Sequence, residues 1–485
     1  MGEEKQTRQP RPTRLYEAII TFTVLVAVMA VGIIKFEVSP HIPMFVGVCI
    51  AAIMALIIGY DWDSIETAMK DGIYRALQAV MILAIIGILI GVWIVSGVVP
   101  AMIYYGLKLL APSVFLVAAV LICSVTSLAT GTSWGTMGTM GLALMGIAVG
   151  LGIPAPATAG AIMAGAYFGD KMSPLSDTTN LAPAMAGTDV FTHIKFMLLP
   201  TLITYVISLA FFGVIGMKYA EAAANADTSA IEVMSNGILD SFNINPVLLL
   251  PPVIVIAAVA MKVPAIPGIT LGIFAGALVG MVFQGGNCDL GAVLNAGMSG
   301  FESKTGIEAV DKLLTAGGLM NMMNSISLTI LAMMFGGIME ETKQLEVIVA
   351  QFLKLVKRPS QLVILTELTC VASNVTMPEQ YISIVVPGRM YAETYKEMGL
   401  HPKTLSNALE GAGTVTSPLV PWNTCAVYIG SVLGLSTAEY FPYAIFNWLM
   451  PVMVIILAIL GPCLADADGK RFKFGQKAKK LEAKA

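Results

Sequence analysis

Long apolar segments dominate this sequence and restrict what it can fold into. A helix needs roughly 20 apolar residues to cross a lipid bilayer, and segments near that length recur between positions 15 and 464. Only 12% of the residues are charged, whereas soluble domains carry about 25%. These features predict an all-α membrane protein with about ten transmembrane helices, near 15–34, 41–59, 77–98, 155–185, 194–218, 245–261, 264–284, 320–340, 404–430 and 440–464.

Two further apolar segments carry polar residues at their centres. The segments 112–150 and 360–388 are interrupted by the polar stretches 130–136 and 373–379. Polar backbone at membrane depth is tolerated only where protein or a water-filled cavity surrounds it. Both segments are therefore predicted to be re-entrant hairpins that enter the membrane and turn back.

Matched spacing divides the chain into two halves. Thr130 and Ser373, which open the two hairpin tips, are 243 residues apart, and the Ser-Pro-Leu motif at Ser173 recurs 244 residues later at Ser417. An odd number of crossings in the first half places the second half upside down, which is typical of secondary transporters with inverted repeats. The predicted organisation is an N-terminal tail (1–14), a first repeat (15–218), an external linker (219–244), a second, inverted repeat (245–465) and a basic tail (466–485).

Positively charged residues give independent evidence on orientation. Cytoplasmic segments near helix ends are enriched in Lys and Arg. With the N-terminus inside, five of the 28 Lys and Arg residues fall outside and Lys171 falls within the membrane; the five are Lys35, Lys108, Lys218, Lys304 and Lys312. This distribution predicts an inner-membrane protein with both termini in the cytoplasm.

The crossings 155–185 and 404–430 are predicted to be broken, at 169–180 and 410–424. Proline in these breaks removes helix hydrogen bonds, so backbone carbonyl oxygens become free to face inward. Oxygen ligands of this kind suit sodium, a hard cation, although small and hydroxyl residues also help helices to pack closely. The candidate ion- or substrate-binding residues at the tips and breaks are Thr130, Thr132, Ser133, Asp170, Ser173, Asp177, Thr178, Thr179, Asn180, Ser373, Asn374, Thr376, Glu379, Glu410, Thr416, Ser417 and Asn423, with Asp177, Asn180 and Asn374 as sodium ligands.

Carboxylates within the apolar segments are the rarest of these groups and indicate function most directly. An isolated carboxylate at the membrane centre costs at least about 2.5 kcal/mol, and sodium and protons would compete for it. Asp177, between Ser176 and Thr178, is the favoured shared carboxylate. Asp170 is the second choice because the adjacent Lys171 offers a structural ion pair instead. Further carboxylates of the second half are Glu379, Glu410 and Glu367, the last as a structural partner.

Enzyme motifs are weak in this sequence. The pattern G-x-S-x-G at 131–135 is typical of serine hydrolases, but that motif needs a preceding strand and a histidine base. The three histidines, His41, His193 and His401, fall at predicted membrane edges. The six cysteines form no CxxC pair that would hold a metal or redox centre. Neither an enzyme nor a cofactor is therefore expected.

Longer motifs resemble one transporter family. The segments 169–180 (GDKMSPLSDTTN), 186–189 (AGTD), 387–389 (PGR) and 417–424 (SPLVPWNT) are similar to motifs of the NhaC family of sodium/proton antiporters, within the larger ion-transporter superfamily. The resemblance covers nearly the whole chain. It implies a sodium/proton antiporter of a bacterial or archaeal cytoplasmic membrane.

The resemblance also leaves a carboxylate substrate open. The same family includes relatives that exchange malate with protons for lactate with sodium, and hairpin tips of the superfamily bind carboxylates beside sodium. Ser373, Asn374 and Thr376 resemble the Ser-Asn-Thr tip of dicarboxylate transporters, although Val375 interrupts the motif.

The leading hypothesis is a secondary transporter that exchanges sodium for protons by alternating access, which inverted repeats with broken helices suit better than a channel. The first alternative is a sodium- and proton-coupled exchanger of small carboxylates, which Lys171 or Arg389 in the cavity would favour as a countercharge. The second is an intramembrane enzyme that uses Ser133. The expected partners are sodium ions, protons, the lipid bilayer and a second copy of the chain in a homodimer; the formal charge of −3 and the short polar segments argue against nucleic acid.

Overall fold

The computed structural model describes residues 10–36, 38–224, 229–261, 263–307, 310–311 and 314–475, and within these ranges the secondary structure is helical apart from isolated β-bridges. The predicted tails and linker, and Lys312, lie partly or wholly outside the described residues. The α-helices are Leu15–Ala30, His41–Ile58, Trp62–Val95, Val98–Leu109, Pro112–Thr130, Ser133–Thr136, Leu142–Gly150, Ala155–Met172, Asp177–Ala186, Val190–Ala224, Ser229–Ser241, Leu250–Ala260, Ala265–Phe283, Leu290–Ser299, Leu319–Glu341, Gln344–Leu353, Pro359–Thr376, Ile382–Glu397, Pro402–Ala408, Thr424–Leu433, Thr437–Tyr440 and Ile445–Leu460. Short π-helices are Val31–Lys35, Met137–Gly141 and Leu409–Thr414, and 3-10 helices are Pro246–Leu249, Gly285–Asn287, Ser417–Leu419 and Phe441–Tyr443.

The multi-pass membrane character predicted from the sequence is confirmed. Seven of the described helical spans are long and apolar enough to cross a membrane: Leu15–Ile33, His41–Ile58, Trp62–Val95, Pro112–Thr130, Val190–Tyr219, Ile266–Phe283 and Leu319–Glu341. Two bent pairs raise the number to nine if each pair is one span; they are Glu232–Ser241 with Pro246–Ala258, bent by 97°, and Thr437–Tyr443 with Ile445–Leu460, bent by 56°. The predicted crossings 155–185 and 404–430 are not continuous helices, because each is interrupted at its polar centre.

The helix Trp62–Val95 begins well before the crossing predicted at 77–98. Its first residues are held by Asp61, whose side chain accepts a hydrogen bond from the backbone N–H of Ser64 at 2.8 Å. Charged residues in the added turns, among them the ion-paired Glu66 and Lys70, lower the local hydropathy. Hydropathy therefore does not mark these turns as part of the crossing, although one helix continues through them.

The first polar tip and the first break contact each other. The helix Pro112–Thr130 ends at Gly131, which has φ +70°, a left-handed conformation that favours glycine. A Cβ atom on Gly131 would lie 2.7 Å from the carbonyl carbon of Leu175, which lies in the break between the helices Ala155–Met172 and Asp177–Ala186. The tip therefore needs glycine both for its backbone conformation and for its close approach to the break.

The second tip and the second break also contact each other. The indole N–H of Trp422 donates to the carbonyl of Val375 at 2.8 Å, and the backbone N–H of Thr424 donates to the carbonyl of Pro378 at 3.0 Å. The rings of Trp134 and Tyr428 are stacked with centroids 4.2 Å apart. These contacts bring both tips and both breaks into one region of the protein.

Candidate functional site

The candidate site is a cavity of about 570 Å³ between the first tip, the first break and the second tip. Predicted site residues and newly identified residues share its wall. The residues that line it are Arg75, Gln78, Ala79, Ile82, Thr130, Gly131, Thr132, Ser133, Trp134, Asp170, Pro174, Leu175, Ser176, Asp177, Thr178, Val263, Pro264, Glu379, Gln380 and Tyr381.

Asp170 is the most constrained carboxylate of the cavity. It is 5% exposed, and its Oδ2 accepts hydrogen bonds from the Ser133 hydroxyl at 2.7 Å and the Ser133 backbone N–H at 3.2 Å. The hydroxyl of Thr179 donates to the backbone carbonyl of Asp170 at 3.1 Å. Asp170 therefore connects the first tip to the first break, and one of its carboxylate oxygens accepts no hydrogen bond from Ser133.

Asp177 and Glu379 face the same cavity in different environments. Asp177 is exposed at the start of its helix, where the Ser176 side chain caps the backbone N–H of Thr179. Glu379 is 4% exposed, and its Oε2 accepts hydrogen bonds from the backbone N–H groups of Tyr381 at 2.7 Å and Ile382 at 3.1 Å. The burial expected of Asp177 is thus found at Asp170 and Glu379 in this structure.

Acidic side chains outnumber basic ones in the cavity wall. Three carboxylates, Asp170, Asp177 and Glu379, face one basic residue, Arg75, which forms an ion pair with Glu340. Lys171 does not line this cavity, and Arg389 lines a separate one of about 310 Å³ together with Arg75 and Glu340. Within the described part of the chain, His, Cys, Asp and Glu side chains form no group of three or more that suits a metal ion. A cation in this cavity would therefore take hydroxyl and backbone oxygens along with carboxylates.

Asn374, predicted as a sodium ligand, is the centre of a buried hydrogen-bond network. Its Oδ1 accepts from the Ser383 hydroxyl at 2.8 Å and from the Asn423 amide at 3.1 Å. Its Nδ2 donates to the Gly413 carbonyl at 2.9 Å and to the Thr416 hydroxyl at 3.1 Å. Asn374 therefore joins the second tip to the second break, outside the cavity wall.

The other predicted residues are divided between the cavity wall and the surrounding structure. Thr130, Thr132 and Thr178 line the cavity, while Glu410 is fully buried behind it, with its Oε1 accepting from the Thr178 hydroxyl at 3.3 Å. Most of the rest bind nearby backbone carbonyls through their side chains: Ser173 to Leu128, Thr179 to Asp170 and Lys171, Asn180 to Pro174 and Ser176, Thr376 to Ala372, and Ser417 to Thr414. The Ser373 hydroxyl is buried and has no partner.

Sequence reasoning missed several residues of the wall. Arg75 lies in the polar first half of the long helix, just before the predicted crossing 77–98, and Gln78 is the second residue of that crossing. Gln380 and Tyr381 follow Glu379 directly, so the part of the second tip that lines the cavity extends two residues beyond the predicted stretch 373–379. Ser383, the partner of Asn374, carries no sequence signal because it is an isolated serine in the apolar first turns of the helix Ile382–Glu397.

Comparisons with known proteins give one consistent family. The model of the Na+/H+ antiporter family matches residues 165–462. The chain is 38% identical to the Malate-2H(+)/Na(+)-lactate antiporter of Bacillus subtilis, over 92% of this chain and 94% of that protein. It is 36% identical to the Na(+)/H(+) antiporter NhaC of Alkalihalophilus pseudofirmus, over 91% and 95% of the two chains. It is also 36% identical to the arginine/ornithine antiporter ArcD of Halobacterium salinarum, over 92% of each chain.

Proposed function

The chain belongs to the Na+/H+ antiporter family, and we propose that it exchanges sodium ions for protons across a bacterial or archaeal cytoplasmic membrane. The proposal rests chiefly on the carboxyl and hydroxyl groups that line the cavity. Three carboxylates and several hydroxyl groups surround it, and oxygen atoms are the ligands that hard cations prefer. Its only basic residue among the described lining residues is Arg75, whose charge is compensated by Glu340.

Sodium binds at the cavity carboxylates in this proposal. Asp170 and Glu379 are buried and already oriented by hydrogen bonds, so little rearrangement is needed when a cation arrives. Asp177 remains the proposed group at which sodium and a proton exclude each other, and its exposure gives both ions access to it. Thr130, Thr132 and Ser133 supply further oxygen ligands.

Alternating access between two inverted repeats would carry the ion across the membrane. The spacings of the two tips and of the two breaks, which differ by one residue, support this arrangement, as does the contact of each tip with the break of its own half. We assign the repeats to 15–218 and 245–465, treat 112–150 and 360–388 as re-entrant hairpins, and place both termini in the cytoplasm. A homodimer is also part of this proposal.

A carboxylate exchanger is the second candidate, and the malate/lactate relative favours it. Arg75 is the group in the cavity wall that would bind an organic acid, but the three carboxylates there would repel a dicarboxylate. Lys171 and Arg389, the expected countercharges, do not line this cavity. Hydrolysis at Ser133 has less support still, because its hydroxyl donates to Asp170 and no histidine lines the cavity among the described residues.

The test uses purified protein in liposomes that contain a pH-sensitive dye. An imposed sodium gradient should move protons in the opposite direction with sodium as the only solute, and adding malate and lactate should not accelerate the exchange. Glu393→Gln is the matched control, because Glu393 is an exposed carboxylate paired with Lys396 away from the cavity. A requirement for either organic acid would overturn the sodium/proton proposal and support the carboxylate exchanger.

A further inference from the structure

A second group of ionisable residues lies inside the protein, behind the cavity wall. Lys171 and Glu410 are 0% exposed and Glu367 is 1% exposed. Lys171 interacts electrostatically with both glutamates. Glu367 also lies against the residue that follows Glu410, because a Cβ atom on Gly411 would be 2.9 Å from the Oε1 of Glu367. We call Lys171, Glu367 and Glu410 the buried cluster; none of the three lines the cavity.

The buried cluster is not a closed salt bridge. The Nζ of Lys171, both carboxylate oxygens of Glu367 and the Oε2 of Glu410 have no hydrogen-bond partner. Among the described residues, no ion pair within 4.0 Å includes Lys171. A buried ion pair offsets its desolvation only with close geometry and additional hydrogen bonds. Among the described residues this cluster has no such close pair, and its carboxylates accept one long hydrogen bond, from the Thr178 hydroxyl to Glu410 at 3.3 Å. Structural support alone therefore does not explain why three ionisable groups are buried here.

A single proton can neutralise the net charge of the buried cluster. One ammonium and two carboxylates carry a net charge of −1, which is costly to bury, and a single proton on either glutamate makes the cluster neutral. Other titratable groups face it: His193, Cys463 and Asp170 lie near Lys171 and Glu410, and Cys370 and Tyr395 lie near Glu367. His193 is itself fully buried and bonds Ser406 through Nδ1 at 2.8 Å.

The buried cluster is connected to the cavity by two routes. The hydroxyl of Thr178, which lines the cavity, donates to the Oε1 of Glu410. The charge of Asp170, also a lining residue, acts on Glu410. Because like charges repel each other at short range, an ionised Asp170 favours a protonated Glu410. A sodium ion beside Asp170 would cancel that repulsion and favour loss of the proton.

We propose that the buried cluster of Lys171, Glu367 and Glu410 holds the transported proton, while sodium binds separately at the cavity carboxylates. This inference rests on the proposed sodium/proton exchange and adds where the proton is held inside the protein. Asp177, exposed in the cavity wall, remains the group at which sodium and the proton exclude each other as they enter and leave. In the sodium-free protein an O–H bond is present on Glu367 or Glu410. Sodium binding near Asp170 releases that proton to water, and sodium release lets water return a proton to the cluster, so charge and atoms balance without any redox partner.

Glu367→Gln tests the proposal, because glutamine keeps the size of the side chain and cannot titrate. Two fluxes are measured in liposomes: exchange of radioactive sodium for unlabelled sodium at equal pH, and sodium uptake driven by a pH gradient. Sodium–sodium exchange should stay within about threefold of the wild type, and pH-driven uptake should fall at least tenfold. The pH dependence of sodium–sodium exchange should also flatten.

Two further variants and a control distinguish loss of a titratable group from misfolding. Glu410→Gln loses a carboxylate that makes only one long hydrogen bond and should give the same divergence of the two fluxes. Glu367→Asp keeps a titratable group and should recover part of the pH-driven uptake. Glu393→Gln, an exposed charge-loss control, should match the wild type in both fluxes.

The outcomes separate this inference from the function on which it rests. A wild-type protein that moves no sodium against protons would refute the proposed function. A wild-type protein that exchanges both ions, with Glu367→Gln and Glu410→Gln retaining full pH-driven uptake, would overturn the buried cluster as the proton site. Equal loss of both fluxes in both variants would also overturn it, because that result is expected of a purely structural role.

Discussion

Replacement of Asn374 by alanine tests whether the second tip is held by the hydrogen-bond network described above. The change removes four side-chain hydrogen bonds, two accepted by Oδ1 and two donated by Nδ2, to Ser383, Asn423, Gly413 and Thr416. Side-chain hydrogen bonds inside membrane proteins contribute about 0.6 kcal/mol each on average. The expected loss in the free energy of unfolding is therefore about 2.4 kcal/mol, or roughly a 50-fold shift in the unfolding equilibrium.

The measurement is reversible unfolding of the purified protein in detergent, with and without sodium. In the sodium-free measurement Asn180→Ala is the matched control, because the Asn180 amide also bonds two carbonyls, of Pro174 and Ser176, but the residue is exposed and water can replace those bonds. The control should lose less than about 1 kcal/mol. A loss at Asn374 no larger than the control's would refute the network as the support of the tip. Destabilisation that appears only with sodium present would also refute it and favour Asn374 as an ion ligand.

Three other perturbations have defined outcomes. Asp177→Asn should abolish sodium-driven proton movement in liposomes while the protein stays folded, because the variant cannot ionise at the shared site. Gly131→Ala should reduce sodium flux, since alanine at φ +70° costs roughly 1–2 kcal/mol and its Cβ would displace Leu175. Below pH 4 the backbone N–H groups of Thr305 and Gly306, which bond the Asp311 carboxylate, should lose protection from hydrogen exchange. The backbone N–H of Thr305 and nearby hydroxyls hold the pKa of Asp311 below its ordinary value of 3.8; this stabilisation is full above the ordinary value and is lost as the pH falls through the folded-state pKa.

Each of these expectations has a control that isolates its cause. Unchanged proton movement in Asp177→Asn would remove Asp177 from the mechanism. Gly152→Ala, at φ +68° with no atom within 4 Å of the added Cβ, shares the backbone cost of Gly131→Ala without the clash, so equal flux loss in both would contradict the contact argument. Asp311→Asn should remove the acid-dependent step in hydrogen exchange, and a step of unchanged size in that variant would assign it to another group.

The amino-acid sequence by itself determined where the chain can cross a membrane and where it must be interrupted. Apolar length is a local property, so the helices His41–Ile58 and Leu319–Glu341 lie within a few residues of their predictions. Breaks are also local, because Pro174 cannot donate a helix hydrogen bond and Gly131 adopts a conformation that other residues disfavour. The family resemblance is also confirmed. It rests on contiguous motifs such as 169–180, which can be recognised in the sequence without knowledge of the fold.

Only the tertiary structure decided which of the candidate carboxylates are buried and which groups they face. Asp170 and Asp177 lie seven residues apart in one motif, yet one is 5% exposed and the other is exposed, because burial depends on the tip that packs against the break. Arg75 enters the cavity wall from a helix remote in sequence. Lys171 and Glu367 interact across 196 positions of the chain. Burial and charge pairing are set by contacts between distant segments, which no local pattern of residues specifies.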